Sequence, residues 1–171
     1  VGRFQGLDVL MQAMAGLSNR PDISLVIMGD GSEKNKLEQQ ARESTANVRF
    51  IDHQTVEVAQ KAMEKADIGF LSLLPNVYRY AYPSKTMSYL QQGLPILACI
   101  ESESQLATEL SEYSAGLSLS NSDPQSLRDT ILALADDPKK IGEMRVNARV
   151  LYEDCFMQQA VLPVWSVILS K

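Results

Sequence analysis

The chain has 171 residues, of which 45% are hydrophobic and 22% charged, and its formal net charge at pH 7 is −5. These values are typical of one globular domain with its own core and exclude a disordered chain. The acidic balance, without a basic run, argues against a nucleic-acid partner. Since no apolar run approaches the ~18 residues of a membrane-spanning helix, and the two cysteines are too few for a disulfide framework, a soluble cytoplasmic domain is expected.

The predicted elements alternate between helices and strands. Val1-Gly2 is typical of the end of a strand, which predicts a further N-terminal half upstream, and apolar residues at helical spacing then predict a helix from residue 7 to near Gly16. Further strands are predicted at residues 23–28, 48–51, 68–73, 96–100 and 117–120, and helices at residues 33–44 (capped by Ser32), 56–65, 84–92 and 104–112. Such alternation predicts a doubly wound, Rossmann-like α/β fold, with a parallel sheet of about six strands and helices on both faces.

The remaining residues predict a helical C-terminal tail. Asp123-Pro124 and Asp137-Pro138 each combine an N-cap residue with a proline of the first turn, so helices are expected at residues 124–135 and 141–151. A last helix is expected at residues 153–169, kinked at Pro163. No linker divides the chain, so residues 1–171 are predicted to form one domain that includes the tail 124–171.

The loops that follow the strands are the candidates for ligand binding, because helix N-termini at the carboxyl edge of a parallel sheet present unpaired N–H groups to anions. Arg3 offers a phosphate contact and Gly6 a close backbone approach, although a solvated arginine is the alternative. Gly29-Asp30-Gly31 is typical of a turn that holds a phosphate, but it lacks the third glycine of a dinucleotide fingerprint and also suits an ordinary tight turn.

Residues 52–55 follow the next strand and contain Asp52 and His53, the only histidine of the chain. A single histidine is more often structural or solvated than catalytic, and no nearby sequence supplies a triad. We therefore predict a binding role for this loop and assign no catalytic residue.

The long loop at residues 74–86 is the most distinctive segment. Its tyrosines, Tyr82 among them, offer stacking faces and hydroxyl groups, while Ser84, Lys85 and Thr86 place a cap residue, free amides and an ammonium group at one helix start. We predict a diphosphate site there; a capped helix with Lys85 in water is the alternative. The acidic segment Glu101-Ser102-Glu103 is better suited to binding hydroxyl groups.

Several short motifs recur in a recognisable order: residues 2–6 (GRFQG), 26–31 (VIMGDG), 47–50 (NVRF), 66–68 (ADI) and 93–98 (GLPILA). Over nearly the whole chain, their order and spacing resemble the C-terminal, nucleotide-sugar-binding half of the GT-B retaining glycosyltransferases of the family-4 type. Pro83-Ser84-Lys85 resembles a subgroup associated with bacterial cell-surface polysaccharide assembly.

The chain departs from that family at two glutamates and one lysine. Counting back from Gly93, Tyr80 and Ser88 stand where members commonly carry two glutamates, and Gln5 replaces the lysine of a Lys-Gly turn. Ribose recognition by the second glutamate therefore cannot be carried over. Ser88, or Glu101 and Glu103, are the candidates for that role, and Lys85 for the missing positive charge.

The resemblance implies the donor-binding domain of an enzyme that transfers a sugar, with retention, from a nucleotide-diphosphate sugar of the UDP or GDP type. It implies no cofactor and no metal, an acceptor held by the N-terminal half, an isolated fragment that transfers no sugar, and peripheral association of the whole protein with the inner face of the membrane. Two alternatives stay open: half of a nucleotide-sugar epimerase or phosphorylase of the same fold, and a non-catalytic nucleotide- or protein-binding domain. The residues implied in donor binding are Arg3, Gln5, Gly6, Gly29, Asp30, Gly31, Asp52, His53, Tyr82, Ser84, Lys85, Thr86 and Ser88.

Overall fold

The computed structural model describes residues 5–120, 123–160 and 162 of the chain, and within them helices and strands alternate as predicted. The elements in chain order are α1 (Asp8–Ala15), β1 (Leu25–Met28), α2 (Lys34–Ser44), β2 (Val48–Ile51), α3 (Val56–Lys65), β3 (Gly69–Ser72), a 3₁₀ turn (Val77–Arg79), α4 (Lys85–Gln91), β4 (Ile96–Cys99), α5 (Gln105–Glu112), β5 (Gly116–Leu119), α6 (Pro124–Ala135) and α7 (Pro138–Cys155). The predicted α/β class is confirmed.

All strand pairs are parallel, but the described strands form two sheets rather than one. β1 pairs with β2, and β3, β4 and β5 pair in that order. Five strands are therefore described where the sequence predicts about six. The sixth predicted strand, ending at Val1-Gly2, lies outside the described residues.

Strand β4 shows why helices are needed on both faces. All four of its residues are buried, and successive side chains point to opposite faces of a sheet. Ile96 and Ala98 belong to one apolar core with residues of α4, α5 and α7, whereas Leu97 and Cys99 belong to another with residues of α1 and α6. Cys99 is 1% exposed, and this burial raises the pKa of its thiol to about 11.

Some of the described helices are capped at their start by a side chain, and others are not. Asp123 and Asp137 accept hydrogen bonds from backbone amides of the first turns of α6 and α7, as predicted, and Ser104 does the same for α5. Ser32 and Ser84 do not cap their helices, so that prediction is wrong. Ser84 already has helical φ and ψ of −59° and −27°, whereas a capping side chain needs an extended backbone, and Glu33 rather than Ser32 stands in the N-cap position of α2.

The helical tail agrees with the sequence at its start and differs later. α6 has the predicted bounds, but α7 runs without interruption from Pro138 to Cys155, so Glu153 lies inside a helix rather than at the start of one. The predicted kink at Pro163 lies outside the described residues. In the described part of the chain, no helix combines the length and the apolar character needed to cross a lipid bilayer.

Candidate functional site

The turns after β1 and β2 begin side by side at the carboxyl edge of their sheet. The register pairs Met28 with Ile51, the last residues of the two strands, and the Gly29 amide donates to the Ile51 carbonyl at 2.9 Å. Gly29 has a φ of +115°, which favours glycine, and its Cα has open space where a side chain would stand. The backbone of this turn is therefore accessible, as the sequence predicts for a ligand-binding turn.

Lys34, in the first turn of α2, joins these two turns. Its Nζ lies 2.9 Å from Oδ1 of Asp30 and forms a second, closer ion pair with Oδ1 of Asp52. The lysine side chain is only 14% exposed, whereas those of Asp30 and Asp52 are 64% and 84% exposed. Lys34 lowers the pKa of Asp30, and the backbone of His53 contributes further in the same direction. Asp30, Asp52 and His53, all predicted site residues, are thus brought together.

The entry to α1 lies against the end of β3. Gly6 has a φ of +54°, and a Cβ at this position would stand 3.1 Å from the side chain of Leu74. Gln5 comes directly before it and is half-buried. Two residues further on, Asp8 binds Lys36 of α2 at 2.6 Å, and this bond lowers the pKa of Asp8. The backbone of Gly6 therefore comes close to the long loop after β3, where a side chain would be crowded. Arg3 lies outside the described residues.

Two carboxylates hold the long loop that follows β3. The Asn76 amide donates to Oε1 of Glu101 at 2.6 Å, and Asn76 adopts the left-handed conformation, with a φ of +67°. The Tyr82 hydroxyl donates to Oε2 of Glu109 at 2.5 Å, and the ring packs 6.0 Å from that of Phe156. Burial, reinforced by Glu109, raises the pKa of Tyr82 far above its ordinary value. The Tyr82 hydroxyl thus serves first to fix the loop.

The start of α4 presents some predicted residues to solvent and hides one. Ser84, Lys85 and Ser88 are exposed, and they lie on one face because residues three and four apart are neighbours on a helix. Within the described residues Lys85 forms no ion pair. Thr86 is fully buried, and its hydroxyl has no hydrogen-bond partner among the described residues. The helix start thus offers an ammonium and two hydroxyl groups outward.

A cavity of about 630 Å³ opens at the same edge. Of the predicted site residues that the structure describes, only Gly6 lines it, together with Asp8, Val9, Ser72, Leu73, Leu74, Pro75, Ser120 and Asp123. Serine hydroxyls and carboxylates supply its polar groups, which suits a ligand rich in hydroxyl groups. No group of three or more His, Cys, Asp or Glu side chains that could hold a metal ion occurs in the part of the chain that the structure describes.

Sequence reasoning missed the role of Lys34 and the partner of Tyr82. Asp30 and Lys34 are four residues apart across a helix start, and this spacing indicates that an ion pair between them is possible. The ion pair of Lys34 with Asp52 depends on the parallel register of β1 with β2, which the sequence does not reveal. No sequence signal pointed to Glu109 as the partner of Tyr82, because the two residues are 27 positions apart. Tyr82 lies in the long loop before α4, whereas Glu109 lies in α5.

Comparison with known proteins points in one direction. Residues 1–137 match the model of a family described as glycosyl transferases group 1. The chain is 26% identical over 164 residues to the GDP-mannose-dependent monoacylated alpha-(1-6)-phosphatidylinositol monomannoside mannosyltransferase of Corynebacterium glutamicum. That alignment covers 87% of this chain and 39% of the mannosyltransferase, so the chain spans well under half of that relative.

Solved structures share the fold at low identity. HepE of Anabaena in complex with UDP superposes with a TM-score of 0.79 and 18% identity, covering 98% of this chain and 46% of HepE. The C-terminal domain of the glycosyl transferase group 1 family protein LpcC from Francisella tularensis superposes with a TM-score of 0.76 and 15% identity, covering 92% of this chain and 84% of that domain. The predicted resemblance to the C-terminal domain of GT-B glycosyltransferases is confirmed at the level of fold.

Proposed function

This chain belongs to the glycosyl transferases group 1 family, and on that premise we propose that it is the donor-binding domain of an enzyme that transfers a sugar with retention. The donor is a nucleotide-diphosphate sugar, and the setting is the synthesis of a bacterial surface polysaccharide or glycolipid. The cytoplasm, at the inner face of the membrane, is the proposed location.

One observation carries this proposal: segments distant in sequence meet at the carboxyl edge of parallel strands. Lys34 joins the turns after β1 and β2, Lys36 joins α2 to the start of α1 through Asp8, and Gly6 lines the same cavity as Leu74 of the long loop. In open α/β sheets ligands bind outside this edge. Among the described residues the edge offers amides, hydroxyls, carboxylates and the ammonium group of Lys85, which match the groups of a nucleotide sugar.

The donor is placed by the chemistry of these segments. The base lies near residues 52–55, and the diphosphate lies between residues 29–32 and the α4 start at residues 84–86, with Lys85 as its cation and Arg3 as a second. The carboxylates of Asp30 and Asp52 make the first of these turns partly acidic, so Lys85 is the principal phosphate ligand in this arrangement. Thr86, being buried, supports the α4 start from within. Ser88 or the pair Glu101 and Glu103 receives the ribose hydroxyls.

Catalysis in this proposal is mainly electrostatic. When the bond between the anomeric carbon and the diphosphate oxygen breaks, negative charge develops on the departing diphosphate. Backbone amides and the Lys85 ammonium stabilise that charge more in the transition state than in the ground state, which is the condition for rate enhancement. The acceptor is held by residues outside this chain, so the chain alone is expected to bind nucleotide weakly and to transfer no sugar.

The names of two similar proteins support a donor of the UDP or GDP type. HepE has been solved with UDP, and the corynebacterial mannosyltransferase is named as dependent on GDP-mannose. These names describe the two relatives and not this chain. Uracil and guanine therefore remain the alternative bases of its donor.

Lys85→Ala tests the proposal by calorimetric titration with UDP and GDP. Loss of a charged phosphate ligand is expected to weaken nucleoside diphosphate binding by about tenfold or more. Lys139→Ala is the matched control: Lys139 is 88% exposed and pairs only loosely with Glu143, at 3.8 Å. A non-catalytic, protein-binding domain is supported instead if Lys85→Ala binds nucleotides like the unchanged chain. Product analysis with the whole protein separates a glycosyltransferase from an epimerase or phosphorylase.

A further inference from the structure

We propose that Lys34 is a positioning residue, whose ammonium group fixes the spacing of the turns after β1 and β2 so that one nucleotide contacts both at once. The proposal rests on the proposed function, since it concerns how the donor's base and phosphate groups are held together.

The geometry of Lys34 is that of a bridge between two separate segments. Its ammonium group binds Asp30, four residues earlier, and Asp52, eighteen residues later, while its side chain is largely buried. The Asp30 carboxylate also accepts a hydrogen bond from the backbone of His53, so the two turns are joined at two points. A change in either turn must therefore move the other or break an ion pair.

The exposure of the partners argues that stability is not the main effect of the bridge. Both aspartates are more than 60% exposed, and ion pairs with such solvated carboxylates contribute little to folding stability. The bridge does restrict the relative position of the two turns further, beyond the pairing of β1 with β2 from which they emerge. A restriction of this kind matters for a ligand that spans both turns, because preorganisation lowers the entropic cost of binding.

A matched control exists elsewhere in the molecule. Arg20 also bridges two aspartates, Asp22 and Asp136, each at 2.8 Å. It lies between α1 and β1, hence at the amino edge of the strands, away from the proposed site. Arg20→Met and Lys34→Met remove the same kind of bridge, but only the second lies where a nucleotide is proposed to bind.

The test compares the binding of a whole nucleotide with that of its parts. Nucleoside diphosphate, the corresponding nucleoside and inorganic pyrophosphate are titrated separately by NMR into the unchanged chain, Lys34→Met, Lys34→Arg and Arg20→Met, with UDP and GDP both used. Lys34→Met is expected to lower the affinity for the nucleoside diphosphate by about tenfold. The affinities for the nucleoside and for pyrophosphate are expected to stay within about twofold, because the two turns persist but lose their alignment. Lys34→Arg is expected to restore most of the affinity, and Arg20→Met to leave all three affinities unchanged.

Three outcomes would overturn the proposal. Unchanged diphosphate binding by Lys34→Met, with only the thermal midpoint lowered, would make the bridge purely structural. An equal fall for pyrophosphate and for the diphosphate would make Lys34 a direct phosphate ligand. Failure of the unchanged chain to bind any nucleotide would remove the proposed function itself, and this result is distinguishable because it appears before any variant is compared.

Discussion

Removal of the Glu101 side chain is expected to release the loop at residues 74–82. Glu101→Ala deletes the acceptor of the Asn76 amide, a bond of 2.6 Å between a backbone N–H and a carboxylate. Hydrogen bonds to charged groups contribute roughly 1.5–3 kcal/mol, which corresponds to an increase of about 10- to 150-fold in the opening of this bond. Since Asn76 is exposed and in the left-handed conformation, no other described contact replaces the carboxylate.

Amide hydrogen exchange measured by NMR gives the readout at the bond itself. The Asn76 amide is expected to exchange about 10- to 150-fold faster in Glu101→Ala than in the unchanged chain, while amides of β4 keep their protection. Glu103→Ala is the control, because the Glu103 carboxylate accepts from the Ser102 hydroxyl and is exposed. Equal exchange of the Asn76 amide in all three proteins would refute the claim that Glu101 holds the loop.

Three further predictions concern the core and the buried tyrosine. Gly116→Ala places a Cβ against the backbone of β4 and is expected to lower the free energy of unfolding by about 1–3 kcal/mol in urea, whereas Gly142→Ala, in open space on α7, should raise it by about 0.5–1 kcal/mol. Because the pKa of Tyr82 is raised on folding, its contribution is present below the ordinary value of 10.0 and is lost as pH rises above it, so Tyr82→Phe should show a smaller alkaline loss of stability than the unchanged chain. Iodoacetamide at pH 8 should label half-buried Cys155 before Cys99, which is 1% exposed; early labelling of Cys99 would contradict its placement in the core.

The order and class of the elements could be predicted because local patterns specify them. The apolar run at residues 96–100 predicts a strand, and β4 lies there at Ile96–Cys99, with its alternate residues in two cores. The Asp-Pro pairs at 123–124 and 137–138 fixed the starts of α6 and α7, since cap and proline act within one turn. Signals of this kind need no knowledge of distant residues.

The errors arose where the local pattern competes with neighbouring structure. Ser32 and Ser84 have the residue type of a cap, but their actual role depends on backbone angles that the packing of α2 and α4 sets.

The candidate site shows the same division. That the turns after β1 and β2 share one edge follows from parallel alternation, and the structure agrees. Which side chain joins them was not predictable: the contact of Lys34 with Asp52 needs the β1–β2 register, and that of Tyr82 with Glu109 needs the fold of the long loop. The sequence therefore predicts which turns share one edge of the sheet better than it predicts which side chains join them.

Calorimetric titration of the chain with UDP, GDP, ADP and their sugar conjugates tests the central claim most directly. Binding of at least one nucleoside diphosphate with one site per chain, and weaker binding after Lys85→Ala, is the predicted result. Absence of binding heat for every nucleotide, confirmed by unchanged NMR spectra at millimolar ligand, would contradict the assignment of a nucleotide-sugar site to this edge.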